Sequence, residues 1–180
     1  MPEQEYWESL VDVPLTINRF ELHRYHNVAE MGCGYGTFTE PIAKVITGKV
    51  FAYDIDPTMI ATTQARTAHL NVTTIERDIF AAGFDFPVDA VLLFNILHCE
   101  EPERLLRIAA DAAPDILVTH WIQGSTPRGP RSEIRPAPER IAIWASNSGL
   151  EVSESFPLPP WHFGMILRRT QPTLQVNDFR

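Results

Sequence analysis

Val28-Ala-Glu-Met-Gly-Cys-Gly-Tyr-Gly-Thr-Phe38 is an apolar run ending near a carboxylate, Glu30, and followed by glycines at three alternate positions. The pattern predicts a buried strand over residues 26–31 and a helix over 37–46, which leaves Gly32, Gly34 and Gly36 in the strand-to-helix turn. Without a Cβ, a glycine accepts positive φ and lets a ligand approach the backbone closely. A bulky, polar ligand is therefore expected to lie on this turn.

Outward from the turn, strands and helices alternate. Gly48 is read as the end of the first helix, and Lys49-Val-Phe-Ala-Tyr-Asp54 as a second strand closing on a carboxylate. Asp56-Pro57 supplies an N-cap and a first-turn proline for a helix over 57–69. Residues 71–76 are β-branched and predict a third strand, with Asp78-Ile79 just beyond it. The apolar run 87–94 fits a central strand buried on both faces. A helix is predicted over 102–112, a fifth strand over 115–119 and a short helix over 139–148. Two closing strands follow over 150–156 and 162–169. The stretch 124–138 holds four prolines with Arg128, Arg131 and Arg135, and reads as a loop or lid. Residues 6–20 predict a weaker helical segment.

Such alternation implies an α/β protein with a doubly wound, mostly parallel sheet. Only Pro157-Leu-Pro-Pro-Trp161 separates the closing strands, too little for a crossover helix, so the last pair is expected to be antiparallel. One domain over residues 1–180 is expected. It comprises an N-terminal cap segment (1–25), a ligand-binding core (26–120), a lid loop (124–138) and a closing helix with a strand pair (139–170).

Composition narrows the partners. The chain has 180 residues, 44% of them hydrophobic, and a formal net charge of −8. Its first 90 residues carry six Lys and Arg against 13 Asp and Glu, and the remainder nine against ten. An acidic surface is a poor match for phosphate backbones, so nucleic-acid binding is not expected. The two cysteines are Cys33, inside the glycine turn, and Cys99. A disulfide at Cys33 would obstruct the ligand, which favours a reducing cytoplasm. The N-terminus lacks a signal-peptide pattern, and no run approaches the roughly 18 apolar residues of a membrane span. No metal site is expected, and oligomeric state is not legible.

Ligands of open α/β sheets bind outside the carboxyl ends of the strands. Glu30, Asp54, Asp78 and Asn95 lie near the ends of the first four. A carboxylate after the second strand suits the two hydroxyls of a ribose; one after the third suits the amine of an adenine. Together, Glu30-x-Gly32-x-Gly34-x-Gly36, Asp54, Asp78-Ile79 and Asp89-Ala-Val-Leu-Leu-Phe-Asn95-Ile-Leu-His98 resemble the ordered motifs of class I S-adenosylmethionine-dependent methyltransferases. The resemblance covers roughly residues 26–120. It implies a Rossmann-like sheet of seven strands with an antiparallel last strand, and S-adenosylmethionine as the cofactor. It also implies cofactor contacts from Glu30, Gly32, Cys33, Gly34, Asp54, Ile55, Asp78, Ile79 and Asn95. Gly32 and Gly34 would lie against the amino-acid part, Asp54 on the ribose, and Asp78 on the adenine between Ile55 and Ile79.

Methyl transfer from a sulfonium is an in-line displacement, for which alignment alone contributes about 7 to 11 kcal/mol in favourable cases. A base is needed only when the acceptor must lose a proton. His98, after the fourth strand, and His120, after the fifth, are the candidates, each equally suited to lining a pocket. Tyr6, Trp7, Trp121 and Trp161 are candidates for an aromatic acceptor pocket. The Asn95-Ile-Leu-His98 segment departs from the Asn/Asp-Pro-Pro-Tyr/Phe pattern of enzymes that methylate planar amino groups, and the Pro-Cys pair of cytosine C5 enzymes is missing. Both departures favour a small-molecule acceptor. Two alternatives stay open at this point: a non-catalytic cofactor-binding subunit, and an NAD-dependent oxidoreductase. The latter's GxGxxG fingerprint is broken here, because Thr37 stands where its last glycine would fall.

Overall fold

The computed structural model describes residues 3–170; residues 1–2 and 171–180, which the expected domain includes, lie outside the described residues. Seven strands form one sheet: β1 Val28–Met31, β2 Val50–Asp54, β3 Val72–Glu76, β4 Ala90–Phe94, β5 Asp115–Trp121, β6 Leu150–Leu158 and β7 His162–Arg169. Their order is β3-β2-β1-β4-β5-β7-β6. Strands β1 to β5 pair in parallel, whereas β7 runs antiparallel to both β5 and β6. The helices are α1 Gln4–Glu8, α2 Val13–Arg19, α3 Thr39–Ala43, α4 Pro57–Thr67, α5 Ile79–Ala82, α6 Pro102–Ala112 and α7 Pro138–Asn147. No helix among the described residues is long and apolar enough to cross a membrane.

Strand alternation divides the core in two. Val91 and Leu93 of β4, with Ile116 and Val118 of β5, pack against α5, α6 and α7 through Ile79, Leu105, Leu106 and Ile141. Leu92, Phe94 and Leu117 point the other way, onto Phe20, Leu22, Phe38 and Ile42. All five residues of β4 are buried, as its unbroken apolar run and central place require.

Several boundaries differ from the sequence reading. The helix after the glycine turn covers only Thr39–Ala43, within residues that continue helix-like bonding as far as Ile46 N–H to Ile42 O at 3.1 Å. Pro41 inside it has no N–H to donate, which weakens this stretch. Gly48 therefore lies five residues past the helix. Its constraint is a close approach instead, since a Cβ there would sit 2.3 Å from the His26 carbonyl oxygen. The single helical segment expected over 6–20 is two short helices, broken where the Asp12 side chain accepts from the Leu15 N–H at 2.9 Å and starts α2 afresh. Strand β5 runs two residues beyond Thr119, because His162 and Phe163 of β7 pair with Trp121 and His120.

Candidate functional site

The carboxyl ends of β1, β2 and β3 meet beside the glycine turn. Gly32, Gly34 and Gly36 all have positive φ, at 74°, 55° and 74°. The turn is fastened to β2: Gly32 N–H donates to the Tyr53 carbonyl at 2.8 Å, and Gly34 N–H donates to Asp54 Oδ2 at 3.0 Å. Thr63 Oγ1 on α4 donates to the Gly34 carbonyl at 2.8 Å. A Cβ on Gly32 would come within 3.1 Å of Ile96 Cδ1, so any other residue here would press on the segment after β4.

Beside this turn opens a cavity of ≈ 240 Å³ whose walls include Gly32, Asp54, Ile55, Asp78, Ile79 and Ile96. Five of the predicted cofactor positions thus converge on one space. Asp54 accepts one backbone N–H on each oxygen, Gly34 on Oδ2 and Asp56 on Oδ1 at 3.0 Å. Asp78 caps α5, accepting from Phe80 and Ala81 N–H, and both bonds end on Oδ1. Ile55 is 67% exposed at the cavity. An apolar side chain held in solvent beside a hollow suits the face of a flat ring.

Glu30, Cys33 and Asn95 stand elsewhere. Glu30 is buried in β1 and accepts from Thr39 Oγ1 at 2.5 Å. Burial pushes its carboxyl up to about 8, against the Thr39 bond and with a further push from the Asp54 charge. Cys33 is buried, and that burial, with the nearby Glu30, holds its thiol up at about 12. It is a packing residue and not a nucleophile at neutral pH. Asn95 follows β4 with φ 58°, and its N–H donates to the Thr119 carbonyl at 2.8 Å. Asn95 lines a second, smaller cavity together with Asp12, Phe38, Thr119, Leu158 and His162. Consecutive residues, Asn95 and Ile96, therefore wall two different hollows.

His120 lies within β5 and not after it, fully buried. Its Nε2 is 3.3 Å from Nδ1 of half-buried His98. Burial depresses both imidazoles, His120 to about 3, with the Trp121 carbonyl partly opposing that shift. By strand alternation His120 shares the face of Ile116 and Val118, the opposite face to Thr119. His162 was not singled out from the sequence. Its ring lies 4.2 Å from that of Trp121, and its only local signal is a polar residue opening the apolar run of β7.

The N-terminal segment closes over this end of the sheet. Glu8 of α1 accepts from Thr37 Oγ1 at 3.3 Å and pairs with Arg66 of α4. Trp7 meets Trp121 at 6.1 Å between ring centroids, and Arg128 lies over the Tyr6 ring at 5.7 Å. Trp161 sits in the β6–β7 turn, where its carbonyl accepts from Ile122 N–H at 2.9 Å. Arg135, expected on a solvated or substrate-attracting loop, is instead buried. It donates to the carbonyls of Pro130 at 2.8 Å, Ile122 at 3.0 Å and Gly124 at 3.3 Å. A loop of this kind exposes many carbonyls to one another, and a five-donor guanidinium satisfies several at once.

The methyltransferase domain family matches residues 28–113. Among solved structures, a SAM-dependent methyltransferase from Aquifex aeolicus is 19% identical, with a TM-score of 0.79 over 93% of this chain and 94% of that one. The N,N-8-amino-8-demethyl-D-riboflavin dimethyltransferase from Streptomyces davawensis is also 19% identical, with a TM-score of 0.75 over 92% and 55%. Magnesium protoporphyrin IX methyltransferase from Synechocystis PCC 6803, solved with bound SAM, is 17% identical, with a TM-score of 0.64 over 88% and 76%. No curated protein matches the chain in sequence. A nicotinamide dinucleotide fold would carry GxGxxG and a parallel sixth strand. This chain has neither, and with its reversed β7 and the domain matched over residues 28–113 it resembles the S-adenosylmethionine-dependent methyltransferases.

Proposed function

We propose that the chain transfers the methyl group of S-adenosylmethionine to a small-molecule acceptor by in-line displacement, in a single domain. The observation that carries this reading is the ≈ 240 Å³ cavity at the strand ends, lined by Asp54 and Asp78, two of the three carboxylates assigned to the cofactor, and by both isoleucines. Asp54 would take the ribose hydroxyls on the lone pairs its two backbone bonds leave free. Asp78 would take the adenine amine on Oδ2, with Ile55 and Ile79 against the ring. Gly32 and Gly34 would let the methionine part cross the turn toward Asn95, and Glu30, beneath the turn, would favour its ammonium by releasing its proton to solvent as the cation arrives. Cys33 would fill space under it.

In the reaction, a lone pair on the acceptor forms the new bond to carbon as the bond to sulfur breaks. S-adenosylhomocysteine leaves, and any acceptor proton passes to solvent or a neighbouring base. If the acceptor must lose a proton, half-buried His98 would be the member of the histidine pair to take it, with buried His120 orienting it. The N-terminal segment and the 124–138 loop, in contact through Trp7, Trp121, Tyr6 and Arg128, would cover the acceptor. A reducing, cytoplasmic setting suits the two free cysteines. The relatives named for a flavin and a porphyrin fit a small-molecule acceptor, as does the acidic surface.

Calorimetric titration tests the donor: S-adenosylhomocysteine should bind in the micromolar range and NAD should not. Binding of NAD alone would overturn the reading. Incubating metabolite extracts with labelled S-adenosylmethionine, followed by mass spectrometry of labelled products, then identifies the acceptor.

A further inference from the structure

Four buried polar side-chain atoms among the described residues have no hydrogen-bond partner: Asn95 Nδ2 and Oδ1, Thr119 Oγ1 and His162 Nε2. All three residues line the same small cavity. We propose that this cavity is the acceptor subsite, built to receive one neutral hydroxyl or amino group. The proposal rests on the methyltransferase reading above and names the chemistry of its second substrate.

Leaving a buried donor or acceptor unmet costs about 1 to 3 kcal/mol, so a cluster of them is not a neutral feature of a core. Elsewhere this chain avoids that cost. Buried Thr16, Thr39, Thr63 and Thr67 each donate to a named oxygen, on Asp12, Glu30, Gly34 and Thr63 in turn. Thr119, only 2% exposed, is the exception, and it faces Asn95 and 6%-exposed His162 across a shared hollow. The three come from the loop after β4, the end of β5 and the start of β7. Cross-strand pairing, with Gly164 opposite Thr119 and His162 opposite Trp121, brings them together.

Size and charge select the occupant. The free core of the cavity is ≈ 10 Å³, which is room for one water-sized group. A hydroxyl or an amino group has that size, whereas a carboxylate or phosphate does not. Asn95 and Thr119 each offer both a donor and an acceptor, matching a group that also does both. Among the described residues lining the cavity none is a cation: burial keeps the His162 imidazole neutral, down at about 4, and the Arg135 guanidinium is spent on backbone carbonyls. The carboxylate in the lining, Asp12, repels anions further. The body of the acceptor must extend out of this hollow past its apolar lining, Val11, Phe38 and Leu158. Because Ile96 walls the donor cavity and Asn95 this one, the polar head is held next to the donor.

Phenol, aniline and benzoate test the proposal as probes, titrated by ligand-observed NMR into protein saturated with S-adenosylhomocysteine. Phenol and aniline should bind, with benzoate weaker by about tenfold or more, since an unpaired charge would have to be desolvated. Thr119→Val keeps the side-chain shape and removes the hydroxyl. It should weaken phenol about fivefold to tenfold, the worth of one hydrogen bond, with unchanged affinity for S-adenosylhomocysteine. Should that variant fail to fold, Asn95→Asp keeps the size and the left-handed backbone and should weaken phenol comparably. Benzoate binding as tightly as phenol overturns the proposal. So does equal phenol affinity in wild type and variant, or absent phenol binding in wild type, which would mark the cavity as a site for a structural water only. If wild type fails to bind S-adenosylhomocysteine, it is the methyltransferase reading that falls, and the subsite with it.

Discussion

Asp54 joins two structures that have to agree: it ends β2, and through Gly34 it fixes the glycine turn. Its carboxylate therefore positions the backbone on which the donor would lie, besides being the group proposed to meet the ribose. Asp54→Ala should weaken S-adenosylmethionine binding at least about tenfold, the equivalent of a charged hydrogen bond at about 1.5 to 3 kcal/mol. Titration calorimetry on the folded variant checks this, and unchanged affinity would remove Asp54 from the site. Asp54, Asp78 and Gly32 were legible in the sequence as neighbours at the strand ends because their places follow from position within strand-turn-helix units. Asp78 also shows that two readings of one residue are compatible, for it caps α5 through Oδ1 while its side chain lines the cavity. Thr119 and His162 were not legible, since 43 positions separate them and only the pairing of β5 with reversed β7 brings them together. His120 was misplaced for the same reason: a strand end is set by its partner strand.

Among the elements, the segment from Ile122 to Ala137 is held from within. Arg135 bonds four carbonyls of its own loop and lies 5.6 Å over the Trp121 ring, on which Gly129 also packs. A Cβ on Gly129 would come within 2.8 Å of the indole, so the loop rests on β5 at contact distance. Sequence pattern marked this stretch as irregular through its prolines, but could not show an arginine turned inward, because nothing periodic distinguishes it from Arg128 and Arg131. Arg135→Met keeps the apolar stem and removes the donors. It should cost about 1 to 3 kcal/mol in urea denaturation, the penalty of buried carbonyls left unmet, and speed proteolytic cleavage between Gly124 and Pro136. Arg135→Lys should rescue only part of this, since one ammonium lacks the fork that reaches several carbonyls. Wild-type stability in Arg135→Met would show that the contacts with Trp121 hold the loop unaided.

At the scale of the molecule, the sheet was legible almost entirely, because alternating strands and helices and a linker too short for a crossover leave few topologies. Packing was not, and it sets the response to pH. Burial holds His120 at about 3 and His162 at about 4, against 6.5 for the unfolded chain. Between those values the unfolded state binds the extra protons, so both histidines destabilise the fold as pH falls below 6.5. Glu30 acts oppositely: its folded value of about 8 exceeds the ordinary 4.5, so its contribution is full below 4.5 and is lost as pH rises toward 8. From 4.5 to 6.5 the depressed histidines, His98 among them, together outweigh Glu30, and stability should fall as the pH falls. Below 4.5 Glu30 no longer offsets the histidines, and Glu8 and Glu40, held low mainly by Arg66 and Lys44, add to the loss as they protonate. From 6.5 to 8 the sign reverses and Glu30 alone leads. Stability should therefore peak near pH 6.5 and drop on both sides, more steeply in acid. Calorimetric melting of the ligand-free protein across pH 4 to 9 checks this. Glu30→Gln, which holds the side chain neutral at every pH, should abolish the alkaline decline and leave the acid limb in place. A decline from 6.5 to 8 that survives in Glu30→Gln would locate the alkaline sensitivity outside the glycine turn.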